Sequence, residues 1–82
     1  MATAISDLRR WLKQGQDKGA SHMIVICDKT DWIDSPIYVM PTQIAREVYH
    51  QCQSDSEQKV MEVYNLSKDL EIQLNEHRAM EF

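Results

Sequence analysis

The chain has 82 residues, of which 43% are hydrophobic and 27% are charged, and its formal net charge is −4. This length suits a single domain over residues 1–82, and the composition excludes a disordered chain. The acidic balance argues against a nucleic-acid partner, because proteins that bind the phosphate backbone present a basic surface. The longest apolar run, residues 23–27, is far shorter than the roughly 20 residues that span a bilayer, so no membrane partner is expected.

The first element is predicted to be a helix over about residues 4–18 that ends at Gly19. Its apolar residues recur on one helical face, namely Ile5, Leu8, Trp11 and Leu12. The segment is amphipathic and lacks the apolar core of a signal peptide. We therefore expect an intracellular, cytoplasmic protein.

Two strands are predicted next. Residues 22–27 (HMIVIC) form a continuous apolar run, which indicates a strand that is covered on both faces or central in its sheet. Pro36 opens a second strand over residues 37–40, and Pro41 ends it because proline cannot donate to a ladder. A connection of about eight residues between the strands suggests an open antiparallel hairpin.

The second helix is predicted to begin at Pro41-Thr42, with Thr42 as N-cap, and to end near Gln53. Its inner face would carry Ile44, Val48, Tyr49 and Cys52.

Residues 59–66 (KVMEVYNL) are ambiguous between helix and strand, and their valine content between a turn and a capping residue favours a strand. Ser67 would then cap a third helix. The inner face of that helix would carry Leu70, Leu74 and His77.

These elements predict an α+β fold of the two-layer type with the order α-β-β-α-β-α. A crossover from the second strand to a parallel third strand places the most apolar strand between them. The result is a three-stranded, mainly antiparallel sheet of order 2-1-3, packed by helices.

The most distinctive feature is the polar segment 28–36, in which three aspartates at spacings of three follow the central strand: Asp28, Asp31 and Asp34. Aspartates in loops commonly hydrogen-bond to backbone N–H groups, so they could simply cap turns while Trp32 covers the edge of the core. Three carboxylates could instead bind a divalent cation, although the spacing of a calcium loop is missing. A tryptophan flanked by acids would also serve as a contact for a protein partner. The candidate interaction surface comprises Asp28, Asp31, Trp32, Asp34 and Tyr38.

No catalytic constellation stands out. Cys27 and Cys52 are interpreted as reduced, buried residues, and the chain has no glycine-rich phosphate loop and no zinc spacing. We therefore expect no cofactor, no resident metal and no catalytic residues.

Several segments carry a resemblance that covers most of the chain. They are Trp11-Leu12, residues 19–28 (GASHMIVICD), Asp31-Trp32, residues 36–39 (PIYV), residues 59–64 (KVMEVY), Leu70-Glu71, Gln73-Leu74 and residues 76–78 (EHR). In these segments the chain resembles a group of small uncharacterised bacterial and phage proteins. The resemblance implies a self-contained intracellular domain, and no functional residue comes with it.

Three functions remain open at this point. The first is a small non-enzymatic accessory protein that binds another protein. The second is a small metal-dependent enzyme that uses Asp28, Asp31 and Asp34, and the third is an acidic mimic of nucleic acid. A homodimer is also open, because a domain of this size buries a modest core and could cover apolar surface by self-association.

Overall fold

The computed structural model describes residues 4–76 and 79–82. The elements follow the expected order α-β-β-α-β-α, with the bounds α1 Ile5–Asp17, β1 His22–Asp28, β2 Asp34–Val39, α2 Ala45–Ser54, β3 Gln58–Asn65 and α3 Leu70–Leu74. The ambiguous segment 59–66 is therefore a strand in all but its last residue. His77, expected on the inner face of the third helix, lies outside the described residues.

The three strands form one sheet of order β2-β1-β3, as the sequence predicts. The central strand β1 is antiparallel to both neighbours, which makes β2 and β3 parallel to each other. The register places Cys27 opposite Asp34 on one side and opposite Lys59 on the other. The pairing with β3 shifts between Val25 and Ile26, where β3 carries an extra residue.

Helices cover both faces of this sheet, so the domain has three layers and the two-layer part of the expectation is wrong. The reason lies in β1, whose alternate side chains are apolar on both faces. Met23 and Val25 pack with α1 and α3, whereas Ile24 packs with α2. The predicted α+β class is otherwise confirmed.

The outer strand β2 contains Pro36, which was predicted to open the strand but lies two residues after its first residue, Asp34. Pro36 pairs with Val25 inside the ladder. Backbone groups in an antiparallel pair alternate between the partner and the open edge, and proline is tolerated where its missing N–H would face the open edge. Pro36 thus leaves the exposed edge of β2 without a donor at its middle, which discourages pairing with another strand.

The N-cap of α2 is Ile44, two residues later than the predicted Thr42. Ile44 occupies the cap position in an extended conformation, without a side-chain cap, and is 60% exposed. Residues 40–43 form a turn instead, in which the Gln43 N–H donates to the Met40 carbonyl and the Met40 N–H donates to Gln43 Oε1. This competing turn removes Ile44 from the expected inner face.

The short helix α3 is capped by Asp69 and not by Ser67. The Asp69 carboxylate accepts hydrogen bonds from the N–H groups of Glu71 and Ile72. Ser67 instead bonds to the Asn65 side chain, through both its N–H and its hydroxyl. The chain therefore makes a turn after β3 before the helix can start.

The outer edge of β3 is covered at two places. Residues 79–82 run alongside it, where the Val63 N–H donates to the Ala79 carbonyl at 2.8 Å and the Glu81 N–H donates to the Val63 carbonyl at 2.9 Å. Two residues further along the strand, at Asn65, the edge is covered by the side chain of Gln73. Two parts of the chain thus close an edge that would otherwise be open to pairing.

Candidate functional site

The hairpin loop between β1 and β2 holds most of the candidate residues. It spans residues 29–33 and is shorter than the eight residues expected, because β2 begins at Asp34. The Trp32 N–H donates to the Asp28 carbonyl at 2.7 Å, and the Asp28 N–H donates to the Ile33 carbonyl at 3.1 Å. The loop is therefore a compact, hydrogen-bonded turn.

Two of the three aspartates stabilise this turn from within. Asp28 Oδ1 accepts the Thr30 N–H at 2.7 Å, and Asp31 Oδ1 accepts the Ile33 N–H at 3.0 Å. Each is a bond from a backbone N–H two residues ahead, the usual pattern of aspartate in turns. The turn-capping interpretation is confirmed for Asp28 and Asp31.

The tip of the loop exposes two adjacent apolar side chains. Trp32 is 58% exposed and Ile33 is 61% exposed. The expectation that Trp32 covers the edge of the core is therefore wrong. Ile33 was not among the sequence candidates, although its place beside Trp32 in a polar loop could have drawn attention to it.

The backbone of Trp32 is left-handed, with φ of 58°. Among the described residues it is the only one besides glycine with a positive φ. A bulky side chain in this region costs roughly 1–2 kcal/mol, which is why glycine or asparagine usually fills such positions. The loop therefore holds its tryptophan in a conformation that the residue itself disfavours.

Asp34 lies at the start of β2, beside the thiol of its cross-strand partner Cys27. Burial raises the pKa of the Cys27 thiol, and the neighbouring Asp34 carboxylate raises this pKa further. Burial also raises the pKa of Cys52, with a contribution from Asp55. Both cysteines are free and buried, so the thiols are held protonated and away from solvent, unlike reactive cysteines.

The three aspartates do not gather into a cation site. Within residues 4–76 and 79–82, no group of three His, Cys, Asp or Glu side chains is placed to hold a metal ion. The capping bonds explain this, because they turn the carboxylates of Asp28 and Asp31 towards separate backbone groups of the loop. The group of three carboxylates on which the metal-dependent alternative depends is therefore not formed among the described residues.

Tyr38 is separated from the other candidates. It pairs with Met23, four residues along β2 from Asp34, or about 13 Å at the usual rise of a strand. Its hydroxyl donates to the Trp11 carbonyl at 2.8 Å. A Cβ added at Gly15 would come within 2.9 Å of the Tyr38 ring, so the two elements touch closely here. The Tyr38 side chain therefore links β2 to α1 by packing and a hydrogen bond, and it is not part of the surface of the hairpin loop.

A second loop, residues 55–57 between α2 and β3, lies next to the hairpin loop and adds acidic residues near its base. The Lys29 N–H donates to the Glu57 carbonyl at 2.8 Å, and the Glu57 N–H donates to Asp55 Oδ1 at 2.9 Å. Acidic residues of both loops therefore lie near the base of an apolar tip.

Comparison with known proteins finds no similar protein. No protein-family model matches the chain, and no curated protein and no solved structure is significantly similar to it. Among the described residues, no helix is long and apolar enough to cross a membrane.

Proposed function

We propose that the protein is a small non-enzymatic accessory protein that binds a protein partner through the tip of its hairpin loop. The proposal rests on the exposed side chains of Trp32 and Ile33 and on the left-handed backbone conformation of Trp32. Strained backbone persists where the surroundings enforce it, and it clusters at functional sites. Tryptophan is also the residue type most enriched among the energetic anchors of protein interfaces.

The surroundings of the tip fit this role. The capping bonds of Asp28 and Asp31 pre-organise the loop, which lowers the entropy that binding must overcome. The carboxylates around the tip would form a polar rim that steers a basic partner surface towards it. The resemblance to small bacterial and phage proteins supports a cytoplasmic setting in such an organism.

Affinity capture with matched variants tests the proposal. We expect the wild-type protein to retain a partner that Trp32→Gly and Ile33→Ser lose. The matched control is Ile72→Ser on α3, since Ile72 is 64% exposed and α3 follows the strand end farthest from the hairpin loop. Retention of the same partner by all four proteins would contradict the proposal, as would its loss only in Ile72→Ser.

A further inference from the structure

A groove lies between α1 and α3, on the sheet face opposite α2. It has a volume of about 310 Å³ and is lined by residues of both helices. The groove floor consists of Leu12, which is buried, together with Leu70 and Leu74, which are half-buried. The volume is at the lower end of the roughly 300–1,000 Å³ of small-molecule sites, so it suits a small molecule better than a folded partner.

The α1 side of the groove is cationic, although the chain as a whole is acidic. Arg9 and Lys13 are four residues apart and therefore share a face of α1. Arg9 is paired with Glu71 across the groove in a two-pronged ion pair, in which Arg9 Nη2 lies 2.8 Å from Glu71 Oε2. Lys13 is exposed, and within the described residues no carboxylate lies at ion-pair distance from it. The groove thus offers an apolar floor beside one uncompensated positive charge.

We propose that the α1–α3 groove binds a small organic anion with an apolar tail, whose carboxylate contacts Lys13 and whose tail lies on Leu70 and Leu74. Charge complementarity favours an anion over an amine or an alcohol of the same size. Glu71 opposes such a ligand in two ways, because it repels the carboxylate and occupies Arg9. The groove is separate from the hairpin loop, so a negative result at the groove would not bear on the proposal that the loop binds a protein.

Amide NMR titration of the whole protein with octanoate tests the site, with 4-phenylbutyrate to distinguish a chain from a ring as the apolar part. Octanol and octylammonium serve as ligands of matched length without the negative charge. We expect saturable shifts in α1 and α3 with the two carboxylates, and a several-fold weaker response to the controls. Lys13→Gln should weaken octanoate binding by up to about five-fold, the range of an exposed ion pair, and Lys13→Arg should restore it.

The variant Glu71→Gln should change the affinity in the opposite direction from Lys13→Gln. It frees Arg9 from its ion pair and removes the repulsion between Glu71 and the ligand carboxylate. Octanoate binding should tighten in this variant, whereas octylammonium binding should weaken. Lys29→Gln, a lysine in the hairpin loop, is the matched control and should leave binding unchanged. The proposal is overturned if the shifts do not saturate, if octanol gives the same response as octanoate, or if neither Lys13→Gln nor Glu71→Gln changes the affinity.

Discussion

At the scale of single residues, the left-handed backbone conformation of Trp32 bears both on the stability of the protein and on its proposed function. Glycine has no Cβ and adopts φ of 58° without strain, whereas alanine keeps the penalty. We therefore expect Trp32→Gly to be more stable than Trp32→Ala by about 1 kcal/mol. Urea unfolding measures this difference directly.

The neighbouring Ile33 provides the control for this comparison. It is similarly exposed, and its φ is not positive. Here glycine should be less stable than alanine, because it loses more backbone entropy on folding. If glycine and alanine rank alike at both positions, the left-handed conformation of Trp32 carries no energetic penalty. In that case, backbone strain at Trp32 would no longer support a functional role for the loop.

At the scale of elements, one glutamine attaches α3 to the sheet. Gln73 is 1% exposed, and its amide pairs with the backbone of Asn65 in the manner of a neighbouring strand. The Asn65 N–H donates to Gln73 Oε1 at 2.7 Å, and Gln73 Nε2 donates to the Asn65 carbonyl at 2.9 Å. Gln73 therefore pairs the buried Asn65 N–H and gives the Asn65 carbonyl a second donor besides the Lys68 N–H, which lies 3.2 Å from it.

Replacing this glutamine should cost much of the stability of so small a domain. Gln73→Leu fills a similar volume but leaves the N–H of Asn65 unpaired and removes one of the two donors to its carbonyl, so we expect a loss of about 1–3 kcal/mol in the free energy of unfolding. Gln53→Leu, at an exposed position on α2, should change it by less than about 0.5 kcal/mol. Equal effects in the two variants would show that the amide pairing contributes nothing.

The elements themselves were predictable where hydrophobic patterning decides them. The apolar run of β1 predicts a central strand, and the crossover rule then predicts the sheet order β2-β1-β3. The starts of α2 and α3 were wrong because competing side-chain bonds, from Gln43 and Asn65, form turns before each helix. Gln73 was missed because a polar residue on a helix carries no periodic signal of burial.

At the scale of the whole molecule, the candidate site was predicted in part. The loop after β1 and its three aspartates were identified from their order along the chain. Whether their carboxylates converge depends on backbone geometry, and the bonds to Thr30 and Ile33 decided that they do not. Tyr38 was grouped with the loop by sequence proximity, whereas the strand carries it towards the other end of the hairpin.

The stability of the whole domain should respond to pH through two glutamates with opposite shifts. Burial raises the pKa of Glu76 above 4.5, and so does hydrogen bonding with Glu81. The folded state therefore holds this proton more tightly, so the contribution is complete below pH 4.5 and is lost as pH rises through the raised pKa. The Arg9 hydrogen bond lowers the pKa of Glu71 instead. That contribution is present above pH 4.5 and is lost as pH falls through the lowered pKa.

Urea unfolding between about pH 3 and about pH 8 separates the two contributions, because each has its own variant. Glu76→Gln keeps the size of the side chain but cannot lose a proton, so it should reduce the decline in stability above pH 4.5 and leave the acidic limb unchanged. Glu71→Gln should reduce the decline below pH 4.5 and leave the limb above it unchanged. If both variants alter the same limb, the two glutamates do not titrate independently, and the raised pKa of Glu76 cannot be assigned to its own burial and its contact with Glu81.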